Sequence, residues 1–104
     1  MTTQEVIKAY YKAWLDGDRK KARSLLSRDL RFRSPEDNFD NADDFLDKCW
    51  KYSEDFEHIV IEHEIYDFTG GYVVYSSSDL CCGELHKVRD GKIIEIYVTF
   101  NPTR

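Results

Sequence analysis

Tyr10, His63, Glu84 and His86 are the side chains in this chain of 104 residues best suited to moving a proton. Histidine titrates near neutral pH, and a glutamate or tyrosine in a partly dry pocket can be tuned to hold, release or donate a proton to a substrate. Their spacing brings them towards one surface. Residues two apart on a strand share a side, so if Ile59, Ile61 and Ile65 face a core, His63 faces it too. The same parity groups Glu84 with His86 and Val88, and Ser76 with Ser78. A concave face built from these groups would be unusually polar for a core.

Other reactive residues carry less. Glu36, Asp37, Asp40, Asp43, Asp44 and Asp47 form an acidic run, but it lacks the glycine turn and closing glutamate of a calcium loop. Acidic residues also favour the first turn of a helix, which is the reading preferred here. His63, Glu84 and His86 could converge in space, yet no tight ligand spacing marks a zinc site, and no metal is expected. Cys49, Cys81 and Cys82 are odd in number and two are adjacent, so a disulfide framework is not expected and a reducing, cytoplasmic setting is. Nothing beside Cys81 or Cys82 in the sequence marks either as a thiolate nucleophile.

The elements that must position these groups begin with a helix. Val6, Ile7, Tyr10, Tyr11, Ala13, Trp14 and Leu15 recur at three- and four-residue steps, a wide apolar stripe with Gln4, Glu5, Lys8, Lys12 and Asp16 outside it. Thr2 and Glu5 fit a capping box, and Gly17 sits where a helix takes a left-handed closing residue. Asp18 caps a short second helix to about Ser27, with Ala22, Leu25 and Leu26 inward. Leu30 and Phe32 alternate with arginines in a brief strand stopped by Pro35. A third helix runs from near Asn41 to near Ser53, marked by Phe45, Leu46, Cys49, Trp50 and Tyr52. The period then changes to two. Ile59 to Tyr66 is a strand, Thr69-Gly70-Gly71 a turn, Tyr72 to Leu80 a strand and Cys81-Cys82-Gly83 a further turn. Glu84 to Arg89 and Lys92 to Phe100 are the last strands, joined by the two-residue hairpin signal Asp90-Gly91.

Three N-terminal helices followed by an antiparallel meander predict an α+β class, with the helices packed in the concave face of a strongly curved, mostly antiparallel sheet. The length fits one domain, residues 1–104. A net charge of -5 and the lack of a basic stripe exclude a nucleic-acid or anionic-lipid surface, and no apolar run is long enough to span a bilayer.

The order and spacing of the aromatic first helix ending in Gly17-Asp18, of Asp29-Leu30-Arg31-Phe32-Arg33-Ser34-Pro35, and of Asp90-Gly91-Lys92-Ile93 running into Tyr97-Val98-Thr99-Phe100 resemble the nuclear transport factor 2-like superfamily. That group has a cystatin-like cone fold and includes ketosteroid isomerases and SnoaL-like polyketide cyclases. The resemblance covers nearly the whole chain. It implies a pocket between the first helix and the sheet, and a homodimer through the sheet's outer face. It places Tyr10, seven residues before Gly17, at the isomerases' oxyanion tyrosine, and Glu84 near their protonated aspartate. Ser34 stands where those enzymes carry the aspartate that relays the proton, a departure that weighs against steroid isomerisation. His63 and His86 are similar to the paired histidines of the superfamily's dehydratases.

The catalytic candidates are thus Tyr10, His63, Glu84 and His86, with Tyr10 and Glu84 as hydrogen-bond donors. The candidate ligand-binding wall is Trp14, Phe32, Ser34, Trp50, Ser76, Ser78, Ile96 and Val98. Two functions fit: a small-molecule-binding domain acting as a cofactor-free lyase or isomerase, of the isomerase, dehydratase or cyclase kind, or a non-catalytic ligand-binding or dimerisation module of the same fold. The expected partners are a small apolar or amphipathic molecule and a second copy of the chain.

Overall fold

Local signals and packing agree from the first turn. In the computed structural model, which describes residues 1–77 and 80–102, helix α1 spans Thr3–Leu15. The Thr2 hydroxyl accepts from the Glu5 N–H at 3.1 Å, while the Glu5 carboxylate accepts from the Thr2 N–H at 2.8 Å. Gly17 takes a φ of 67° beyond the helix end. Val6, Ile7, Tyr10, Tyr11, Ala13 and Trp14 are buried, and full burial of a side chain such as Ile7 contributes about 1.5–3 kcal/mol. Leu15 is exposed, so the apolar stripe is narrower than its composition suggests.

Helix α2 (Arg19–Ser24) is capped by Asp18 and ends three residues short of the expected Ser27. Leu26 already belongs to strand β1 (Leu26–Arg33), where it lies beside Ile93. After the two-residue strand β2 (Asn38–Phe39), Asn41 caps α3 (Ala42–Cys49), and a 3-10 segment (Trp50–His58) replaces the expected last turns of that helix. The acidic run binds these pieces together: Asp43 pairs with Arg23 at 3.0 Å, Asp40 with Arg33 at 2.9 Å and Asp37 with Lys48 at 3.4 Å. Among the described residues no group of three or more His, Cys, Asp or Glu is placed to hold a metal ion.

Strands β3 (Val60–Tyr66), β4 (Gly70–Ser76), β5 (Leu80–Arg89) and β6 (Lys92–Pro102) complete one six-stranded sheet in the order β2-β1-β6-β5-β4-β3. All its pairings are antiparallel except β1 with β6. The class is α+β, with the helices on one side of a curved, mostly antiparallel sheet. The β5–β6 hairpin turns through Asp90 and Gly91, both at positive φ, as its sequence signal predicts.

Two expectations fail. Cys81-Cys82-Gly83 is not a turn but part of β5, paired with Ser76, Tyr75 and Val74. Gly83 is there for room: a Cβ at that position would lie 2.2 Å from the Tyr72 hydroxyl oxygen, so the tyrosine occupies the space a side chain would fill. The second failure is parity in β3. Ile61 pairs with Tyr75 but His63 pairs with Val74, because the register shifts between them. The extra residue reverses the alternation, turning His63 and Ile65 to the side of Tyr72 and Val74, away from the helices.

A cavity between the first helix and the sheet

The face of the sheet towards α1 is set by register. Tyr75 lies opposite Cys82, Val73 opposite Glu84 and Gly71 opposite His86; across the next ladder Cys82, Glu84 and His86 face Phe100, Val98 and Ile96. Above this face sits a cavity of about 470 Å³, walled by aromatic rings from α1, β1, α3, the 3-10 segment and the sheet. That volume suits a small organic molecule.

A polar chain forms its floor. The Tyr75 hydroxyl donates to Glu84 Oε2. Glu84 Oε1 lies 3.4 Å from His86 Nε2, and that same nitrogen is 3.0 Å from the Tyr11 hydroxyl. On its other side His86 Nδ1 is 3.2 Å from the Gly71 carbonyl oxygen. A carbonyl only accepts, so the proton sits on Nδ1, and Nε2 is left to face the phenol and the carboxylate. A neutral imidazole accepts there from Tyr11. An imidazolium donates there to Glu84.

Burial tends to raise the Glu84 pKa, but the hydrogen bond and charge of His86, then the hydroxyls of Tyr75 and Tyr11, outweigh it and the net direction is downward. Glu84 is therefore an ionised acceptor at neutral pH. Burial first, and the Glu84 charge second, push the phenols of Tyr10, Tyr11 and Tyr75 upward, so all three stay protonated donors. The thiols of Cys49 and Cys82 also line the cavity, and burial raises each to about 11, which leaves them un-ionised and poor nucleophiles.

Of the residues singled out from sequence, Tyr10, Trp14, Phe32, Ser34, Glu84 and Val98 line the cavity. The rest are placed differently. His63 is exposed on the opposite face of the sheet, and Ser76 shares that face, being paired with Val60 and two residues from Val74. Ser78 lies outside the described residues. His86 is fully buried beneath the floor and meets the cavity through Glu84, Tyr11 and an edge contact with the Tyr10 ring. Ile96, its partner across the ladder, is core. Trp50 stands behind Trp14, ring centroids 4.5 Å apart, and backs the wall without lining it. Glu84 accepts a hydrogen bond where the isomerase aspartate was expected to donate one. The Ser34 hydroxyl is held by a turn, donating to the Asp37 carbonyl at 2.9 Å and accepting from the Asp37 N–H at 3.0 Å.

Sequence reasoning missed Tyr11, Tyr75, Phe56 and Phe100. Tyr11 lies on the same stripe as Tyr10, and only the roll of the helix decides which phenol meets the histidine. Tyr75 was hidden because Tyr72-Val73-Val74-Tyr75 is apolar on both strand faces.

Three helices lying in the concave side of a six-stranded sheet, with a cavity between, define the nuclear transport factor 2-like, cystatin-like cone, and this chain has that fold. Solved structures show the same architecture. A protein from Silicibacter pomeroyi with a cystatin-like fold superimposes with a TM-score of 0.81 at 16% identity, covering 94% of this chain and 74% of that one. A nuclear transport factor 2-like protein of unknown function from Cytophaga hutchinsonii gives 0.77 at 16% identity, over 97% of this chain and 91% of that one. A protein from Kribbella flavida, provisionally designated a ketosteroid isomerase, gives 0.77 at 14% identity, over 98% and 79%. No protein-family model matches the chain, and no curated protein matches it in sequence. Among the described residues no helix is long and apolar enough to cross a membrane.

Proposed function

We propose that the chain is a small-molecule-binding domain that takes an amphipathic ligand into the cone between α1 and the sheet. The observation that carries this reading is the cavity: about 470 Å³, aromatic around its sides and polar only at its floor and mouth.

The Tyr75–Glu84–His86–Tyr11 chain favours a second reading, in which the bound molecule undergoes cofactor-free proton transfer of the lyase or isomerase kind. Tyr10, protonated at neutral pH, can donate to a carbonyl, while Tyr75 already donates to Glu84 and Tyr11 meets His86, and the carboxylate can hold the transferred proton. Ser34 supplies no base, so the proton acceptor on this reading is Glu84.

Binding is tested by titrating Nile red, an uncharged dye, into the wild type and into Val98→Phe, which fills the cavity. Saturable binding, weakened about tenfold or more in a Val98→Phe protein of unchanged circular dichroism, supports the reading. Equal binding to both would place the dye elsewhere and remove the support. The catalytic reading is tested by screening cyclic ketones in D2O for enzyme-dependent exchange at the α carbon. Exchange lost in Glu84→Gln supports it, and exchange that persists there rules out Glu84 as the base.

A further inference from the structure

The cavity's charged groups are all of one sign. Glu36, Asp37, Asp55 and Glu84 line it, and among the described residues no lysine, arginine or histidine does. Lys48 approaches Asp37 from outside at 3.4 Å, and His86 approaches Glu84 from beneath at 3.4 Å, so two of the four are partly compensated. The remaining pair, Glu36 and Asp55, are exposed residues at the mouth. An anionic ligand would have to enter past these carboxylates and settle over a third that is already ionised and only 8% exposed.

Aromatic residues surround the same space. Tyr10, Tyr11, Trp14, Phe56 and Tyr75 form one continuous set of edge and tilted contacts: Tyr10 to Tyr11 at 5.7 Å, Trp14 to Phe56 at 5.1 Å, Tyr11 to Tyr75 at 6.1 Å and Phe56 to Tyr75 at 5.8 Å between centroids. Rings lining a desolvated cavity attract a cation through their negative faces. A carboxylate at the floor adds a counter-charge.

From this arrangement we infer that the ligand is an organic cation, an amine or quaternary ammonium on an apolar body. The ammonium lies among the rings over Glu84. This rests on the reading of the cone as a ligand cavity and adds the charge of what it takes. The acidic mouth and the net charge of -5 draw such a molecule in and repel its anionic analogues.

The test uses three probes of similar size: benzoylcholine, its uncharged carbon isostere 3,3-dimethylbutyl benzoate, and the anion hippurate. Each is titrated into the intact chain while tryptophan fluorescence is followed. Benzoylcholine is expected to bind about tenfold more tightly than the isostere, with hippurate weakest. In Glu84→Gln that preference, read as the ratio of the two affinities in the same variant, should fall to about threefold or less. If Glu84→Gln fails to fold by circular dichroism, the paired mouth variant Glu36→Gln with Asp55→Asn is used instead. It should lower benzoylcholine affinity and flatten its salt dependence. Equal or tighter binding of the isostere, or of hippurate, overturns the cation assignment and leaves the ligand cavity standing. No binding of any of the three at millimolar concentration overturns both.

Discussion

Glu84 decides the character of the interior. A carboxylate buried without partners would be neutral, but two hydroxyls and the charge of His86 hold this one ionised. Its folded pKa lies below its ordinary value of 4.5, so it binds fewer protons folded than unfolded. The resulting stabilisation is fully present above pH 4.5 and is lost as pH falls through the lower folded value. The stability gap between wild type and Glu84→Gln should accordingly be widest near neutral pH and close on acidification, as read from urea midpoints at a series of pH values. A gap that is flat with pH would mean that folding leaves the Glu84 pKa unchanged, and one that grows on acidification would mean that folding raises it. Tyr11→Phe removes the 3.0 Å contact to His86 Nε2 and leaves a buried nitrogen without its phenol. It should cost about 1–3 kcal/mol, whereas Tyr52→Phe, at the exposed rim, should cost less than about 0.5 kcal/mol.

Among the elements, the helices and the last hairpin were legible because their signals are local. The Thr2–Glu5 box, the Asn41 cap and Asp90-Gly91 each act within a few residues, and each is where the sequence places it. Asn41→Ala should therefore cost about 1 kcal/mol in a denaturation midpoint. The misread features are non-local. Nothing in Ile61-Glu62-His63 announces that β4 will pair with it through a bulge, and that one residue removes His63 from the site. Nothing in Cys81-Cys82-Gly83 announces that the Tyr72 side chain lies against Gly83, so three turn-like residues hide a strand. Half of the floor followed from parity in β5, where Glu84 and His86 do share a face; the other half, Tyr11 and Tyr75, depended on helix roll and sheet register. The glycines of the sheet provide a check on these close approaches. A Cβ at Gly70 would sit 2.2 Å from the His86 carbonyl oxygen, which is backbone and cannot yield, while at Gly83 it meets the end of a half-exposed tyrosine that can swing away. Gly70→Ala should thus destabilise by about 3 kcal/mol or more and Gly83→Ala by clearly less, and the reverse order in thermal melts would contradict the register described here.

At the scale of the molecule, the two faces of the sheet divide the work. The concave face meets the helices and the cavity. The convex face presents Ile65 and Tyr72, 67% and 38% exposed, beside Val74 and Leu85. An apolar surface of this kind suits the homodimer expected through the outer face. Sedimentation equilibrium at micromolar concentration should report a dimer that Tyr72→Glu converts to a monomer, with ligand binding in the cone retained; a wild-type monomer would exclude that arrangement. The sheet order carries one further consequence, for synthesis. β6 emerges from the ribosome after every other strand, yet it lies between β1 and β5. Until it is made the nascent chain holds two separate half-sheets with unpaired inner edges, β1 with β2 on one side and the β3–β5 meander on the other. Val98 and Phe100, part of the cavity wall, arrive with that same strand. The cavity is therefore incomplete in every partial product, and its wall is finished only when the last strand fills the gap.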